Sequence, residues 1–182
     1  MKESQAAENS PSTAATLHSV IGKVDHALRH QLPTGDVAEL RRVSPEEPYT
    51  PALWKLLLSH VPESWTAGPD RDEKERRWAT LFMTMATAAG LHDPSVPLGT
   101  ALARAGWSEL RFVRLMQDRG QGLAVRLRRL AQYLNSKSQP ADWTDVAHLL
   151  REQDGEWAER HRRRISRDYY RTLHRIESGG QG

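Results

Sequence analysis

Apolar residues recur along this chain at spacings of three and four, and no segment alternates apolar with polar positions long enough to suggest a sheet. Within residues 16–31, Leu17, Val20, Ile21, Val24 and Leu28 fall on one stripe, and Pro33-Thr34-Gly35 stops the helix. Residues 36–43 predict a short helix capped by Asp36 or Thr34. Thr50 followed by Pro51 marks a helix start with proline in its first position, and "PALWKLLLSHV" runs from there to Pro62. After a loop, "PESWTAGPD", residues 71–89 read as a helix with Trp78, Leu81, Phe82 and Met85 inward, ended by Gly90.

The segment "LHDPSVPLG" (91–99) carries two prolines and a glycine and is the predicted boundary between two helical units. Beyond it, helical patterns cover 98–105, 108–119 with Ser108 as N-cap, 123–135, and a long pair over 143–177 broken near Gly155. Leu110, Val113 and Met116 are expected inward on the second of these, and Leu123, Leu127, Leu130 and Leu134 on the third. On the last, Trp157, Ile165, Tyr169, Leu173 and Ile176 form the inward stripe. Antiparallel helices joined by short loops bury such stripes against one another. The expected fold is all-α, two small helical bundles packed together. Residues 1–15 read as a disordered N-terminal tail, 16–90 as the N-terminal bundle, 91–97 as a linker, 98–177 as a basic C-terminal bundle, and 178–182 as a flexible tail.

Composition narrows the chemistry. The 182 residues include no cysteine, which excludes a disulfide framework, a zinc ribbon and a thiol nucleophile. The polar N-terminus lacks the apolar stretch of a signal peptide. No run approaches the ~20 apolar residues of a membrane span, so a cytoplasmic location is expected. The net charge of +3 conceals an asymmetry. Residues 1–100 hold ten Lys+Arg against thirteen Asp+Glu, whereas 101–182 hold sixteen against ten, and fifteen of those sixteen cations are arginine. Arginine's planar fork suits phosphate oxygens.

The densest stretch, "ERHRRRISRDYYRTLHRI" (159–176), sets seven arginines and two histidines against two carboxylates. On a helix, Arg160, Arg163, Arg167, Arg171 and His174 share a face distinct from the inward stripe, roughly 20 Å long. Phosphates of one strand repeat about every 3.4 Å along a duplex, so such a face can run beside several. Arg111 with Arg114, Arg126 with Arg129 and Arg128 further round, and Arg41 with Arg42 repeat the habit. One basic helix face is ordinarily only solvated; several together with few acids favour a phosphate track. A membrane-surface helix needs a wide exposed apolar face, and here the apolar faces are narrow and needed for the core. Phosphate contacts position a nucleic acid without reading its bases. No recognition helix or RNA-recognition aromatic pattern is present to add such reading. Tyr169 lies on the inward stripe, leaving Tyr170 as a surface ring.

Catalytic signatures are missing: no GxxxxGK, HExxH, GxSxG or EF-hand spacing occurs. His26 and His30 lie four apart beside Asp25 but lack a clear third ligand. Asp142 and Asp145 read as caps for the helix in "WTDVAHLL". No catalytic residue, metal or cofactor is expected.

The pieces "GDVAELRR" (35–42), "LGTALARAGWSELRFVRLM" (98–116), "LAVRLRRLAQYL" (123–134), "DWTDVAHLL" (142–150) and "RRRISRDYY" (162–170) occur in that order. Together they resemble the small-subunit family, CasB, of the type I-E CRISPR surveillance complex Cascade. The resemblance spans nearly the whole chain. It implies an all-helical protein of two bundles without enzymatic activity. Two copies would lie beside the backbone subunits that hold the CRISPR RNA, in contact with the large subunit. Their basic surface would help hold the hybrid of CRISPR RNA and target DNA and cradle the displaced DNA strand, stabilising the R-loop in antiviral defence without sequence specificity. Carried over residue by residue, the nucleic-acid role falls to Arg41, Arg42, Arg111, Arg114, Arg126, Arg128, Arg129, Arg163, Arg164 and Arg167. Arg167, just before Asp168-Tyr169-Tyr170, is the one expected in an internal ion pair. Two alternatives remain: a helical scaffold that meets only protein, and a stand-alone DNA-binding regulator.

Overall fold

The computed structural model describes residues 15–44 and 47–179, so the predicted N-terminal tail lies outside it except for Ala15, and so do the last three residues. Among the described residues nine α-helices form: α1 (Leu17–His30), α2 (Thr34–Arg42), α3 (Pro51–His60), α4 (Arg71–Thr87), α5 (Leu98–Arg104), α6 (Glu109–Gln117), α7 (Gly120–Ser136), α8 (Trp143–Arg151) and α9 (Glu156–Gly179). No strand is among them, so the fold is all-α.

Side-chain caps set three of the starts. Thr16 accepts the Ser19 N–H at 3.2 Å, and Thr50 accepts that of Leu53 at 3.2 Å ahead of Pro51. Asp142 accepts the Thr144 N–H at 2.9 Å and opens α8. α2 departs from expectation, because Pro33 holds the cap position and Thr34 is already helical. Asp36 instead pairs with Lys55 of α3 at 2.6 Å. One 3-10 turn, Glu63–Trp65, forms inside the predicted loop.

A single hydrophobic cluster runs from Leu17 to Tyr169. α4 lies at its centre, with Trp78 to Ala86 buried around the whole circumference, as befits a helix packed on every side. It touches α1, α2 and α3 of the N-terminal half and α7 and α8 of the C-terminal half, so both halves share this core. Residues 91–97 are tied down between them. Asp93 N–H donates to Ala141 O at 3.1 Å, Ala141 N–H to Leu91 O at 3.0 Å, and Asp142 N–H to Val96 O at 2.8 Å.

Two buried stripes differ from the sequence reading. On α6, Phe112 and Leu115 are buried while Leu110 is 62% exposed, with Val113 and Met116 only half-buried. The helix has turned so that Phe112 stacks on Tyr169 with ring centroids 3.9 Å apart. On α9, Ala158, His161, Arg162, Ile165, Tyr169 and Thr172 face in, whereas Trp157 and Ile176, expected inward, are exposed. α9 packs chiefly on α5, and glycine makes this possible. A Cβ at Gly99 would stand 2.1 Å from Ile165 O and 2.8 Å from Tyr169 N. Tyr169 closes the far side by donating its hydroxyl to Trp107 O at 2.6 Å.

Asp145 locks this arrangement. It does not cap its own helix; buried at 2% exposure, it reaches from α8 to two other helices. Its Oδ2 accepts the Leu98 N–H at 2.9 Å, one of the orphan donors at the start of α5. Its Oδ1 accepts from Arg164 of α9, and His161 Nε2 lies 3.7 Å away. Burial pushes His161 down to about 4, so its ring is neutral near pH 7. Burial also lowers His148, whose ring centroid lies 4.6 Å from that of His161.

Gly99→Ala is expected to cost about 3 kcal/mol or more, because the new methyl meets backbone that cannot move aside. Gly22→Ala, with open space around it in mid-α1, should stabilise by up to ~1 kcal/mol. Urea denaturation of the two variants checks the contrast. The histidine pair predicts a pH effect of definite sign. Unfolded His161 takes up its proton near 6.5 and the folded residue only near 4, so stability is full above pH 6.5 and falls as pH drops towards 4. Melting temperatures across that window should decline less steeply for His161→Gln than for the wild type.

Candidate nucleic-acid interface

Two groups of arginines emerge from this packing. The first joins motifs far apart in sequence. Arg41 and Arg42 close the last turn of α2, and Arg41 Nε donates to Ala86 O, a carbonyl in the last turn of α4, at 2.8 Å. Arg128 of α7 donates to Val43 O, one residue past Arg42. The carbonyl thereby brings "GDVAELRR" beside "LRRL". Arg42 and Arg129 are exposed, and neither has an ion pair or side-chain hydrogen bond with a described residue. Arg126 is half-buried and paired with Asp118, which fastens α7 to the turn before it.

The second group lies where α6 runs antiparallel along α9. Arg119, just past α6, pairs with Glu159 at 3.1 Å near the start of α9. At the other end Tyr170 donates to Glu109 Oε1 at 2.9 Å. Arg111 rests over the Trp107 ring at 5.4 Å while remaining exposed, and Arg114 is exposed one turn on. Arg163 and Arg167 project from α9 into solvent, with no carboxylate within ion-pair distance among the described residues.

The arginine in the ion pair is Arg164, not Arg167, and its side chain stays 47% exposed. Arg164 lies on the side of α9 that faces α8 and gives its guanidinium to Asp145, whereas Arg167 sits on the outer face. An exposed cation without a partner keeps all five N–H donors for a ligand; one already bonded to protein offers fewer, and its charge is partly answered where the partner is a carboxylate. Arg42, Arg111, Arg114, Arg129, Arg163 and Arg167 are therefore the available set, and Arg41, Arg126, Arg128 and Arg164 already hold the fold together.

Two other structural arginines carry no signal in the residue pattern. Arg162 is buried and donates to Gln153 O at 3.0 Å, and Arg119 donates to the carbonyls of Met116, Gln117 and Asp118 at the end of α6. Asp25 is taken up by Arg29 at 2.7 Å, and among the described residues no three His, Cys, Asp or Glu side chains group to hold a metal. No described helix is long and apolar enough to cross a membrane.

Three solved structures share the fold. A chain of E. coli Cascade bound to a PAM-containing double-stranded DNA target matches with a TM-score of 0.66 at 24% identity, covering 85% of this chain and 96% of that one. CasB from Thermobifida fusca matches with a TM-score of 0.64 at 20% identity, covering 85% and 95%. CasB from M. ruber matches with a TM-score of 0.66 at 20% identity, covering 90% and 97%. No curated protein sequence matches significantly. The family model of CRISPR-associated protein Cse2 matches residues 36–170, from α2 through Tyr170, and the chain belongs to that family.

Proposed function

We propose that this protein is a non-catalytic subunit of a Cascade-type CRISPR surveillance complex, holding nucleic-acid backbone through exposed arginines without reading sequence. The observation that carries it is the set Arg42, Arg114, Arg129, Arg163 and Arg167, exposed with no carboxylate within ion-pair distance among the described residues. A similar chain occurs in a complex bound to target DNA. In RNA-guided recognition base pairing reads the sequence, and protein contacts to the backbone tip a nearly balanced strand exchange. The ligands are the CRISPR RNA–target DNA hybrid and the displaced strand, and the effect is a more stable R-loop. The protein partners are the backbone subunits, the large subunit and a second copy of this chain, in the cytoplasm. In the Asp145–His161–Arg164 cluster the acid and the imidazole are buried and Arg164 covers them, an arrangement that serves packing.

A protein-only scaffold is the second reading, favoured by the outer face of α3. There Tyr49 and Trp54 stack at 5.7 Å, and Leu58 is 79% exposed. That reading predicts no salt-dependent binding of oligonucleotides.

With a labelled single-stranded oligonucleotide, each phosphate neutralised contributes about −0.7 to the slope of log K against log salt. Arg42→Ala with Arg129→Ala should flatten that slope by about 1.4. Arg126→Ala should leave it unchanged and cost ~0–1 kcal/mol of stability, since its partner is Asp118. Equal slopes for the double variant and wild type would remove Arg42 and Arg129 from the interface.

A further inference from the structure

A cleft of about 420 Å³ lies between α5 and the C-terminal part of α9, lined by Ser95, Thr100, Arg104, Thr172 and Arg175. None of these residues belongs to either group above. Arg104 and Arg175 are exposed, and neither pairs with a carboxylate among the described residues. Thr172 donates its hydroxyl to Thr100 Oγ1 at 3.3 Å, which leaves the Thr100 proton free to donate onward. Asp93, beside Ser95, is occupied: its Oδ1 accepts the Ser95 N–H at 2.8 Å and hydroxyl at 2.6 Å.

The cleft also ends a row. Arg163, Arg167, Arg171 and Arg175 follow one another at intervals of four, all exposed. Each step rises ~6 Å and drifts slowly round the helix, so the row covers ~18 Å of α9. The drift carries it from the outer face to the side packed on α5, where Arg104 faces Arg175 across the cleft. A helix C-terminus favours a cation such as Arg104 on its own account. That does not explain Arg175, which projects from another helix into the same space.

We infer that this cleft seats one phosphodiester of a nucleic-acid strand that follows the α9 row, gripped by the guanidiniums of Arg104 and Arg175 and by the Thr100 hydroxyl. Two forks and a hydroxyl supply more donors than a carboxylate's two oxygens require, and they suit the ester and anionic oxygens of a phosphodiester. The inference rests on the nucleic-acid reading above and adds to it where the strand's path along α9 ends.

The test uses the full chain, a fluorescent oligothymidylate and a salt titration. Arg104→Gln with Arg175→Gln should weaken binding several-fold and flatten the log–log slope by about 0.7, the share of one phosphate. Thr100→Val, which removes a donor without touching charge, should weaken binding at an unchanged slope. The melting temperature of the double variant should stay near that of the wild type, because neither arginine has a partner among the described residues; Thr100→Val also removes the acceptor of the Thr172 hydroxyl and should melt slightly lower. Wild-type affinity and slope in the double variant, with Arg42→Ala and Arg129→Ala still effective, would overturn the cleft assignment alone. Absence of binding by the wild type would instead remove the functional reading on which it rests. Millimolar inorganic phosphate that stabilises the wild type but not the double variant, with strand binding equal in both, would reassign the cleft to a free anion and overturn the strand path.

Discussion

The buried carboxylate of Asp145 joins three helices, and the position of the basic helix depends on it. It takes the first N–H of α5 and the guanidinium of Arg164 on α9 while belonging to α8 itself. A buried charge is tolerable only when its partners are in place, and removing one partner of such a group typically costs ~3–5 kcal/mol. Gly99 provides the second half of the clamp by letting the α5 backbone lie directly on that of α9. Together they fix both the rotation of α9 and its depth in the fold.

That rotation divides the arginines of one helix into two populations. Arg162 is buried against Gln153 O, and Arg164, still partly exposed, is tied to the buried Asp145. Arg163, Arg167, Arg171 and Arg175 are turned outward on an exposed row. The same sorting operates on α7, where Arg126 and Arg128 fasten the helix to its surroundings while Arg129 is exposed without a partner among the described residues. A rigid helix fixes where each outward arginine is rooted and leaves its donors open to a ligand, although ordering each such side chain on binding costs about 0.5–1.5 kcal/mol. Binding of this kind is electrostatic and independent of sequence, as a subunit requires when base pairing elsewhere supplies specificity.

Much of the scaffold could be read from the chain, because it is set by local rules. The leucine seam of α7, the caps at Thr16, Thr50 and Asp142, and the inward face of α4 all follow from spacing and from hydroxyl or carboxylate caps. The rotation of α6 did not, because Leu110–Val113–Met116 and Phe112–Leu115 have equally good helical spacing, and only the ring of Tyr169 selects between them. Asp145 looked like a local cap because its partners lie 47 residues before it and 19 after. For the same reason the arginines could be counted but not sorted: an ion pair such as Arg164 with Asp145 is a tertiary fact, and nothing in "RRRISRDYY" marks which guanidinium turns inward. The run Arg163–Arg167–Arg171 was, by contrast, legible from spacing alone, but the face was read as ending at His174, not Arg175.

The central claim is that the outward arginines meet nucleic acid and not only protein. Its most direct measurement is site-specific photocrosslinking in an assembled surveillance complex carrying guide RNA and target DNA. The photoreactive residue would replace Arg129 in one sample, Arg163 in a second and Arg164 in a third. Crosslinks to DNA or RNA from the first two positions, with only protein or intramolecular products from the third, are the predicted result. Crosslinks to neighbouring subunits alone from all three positions would contradict it.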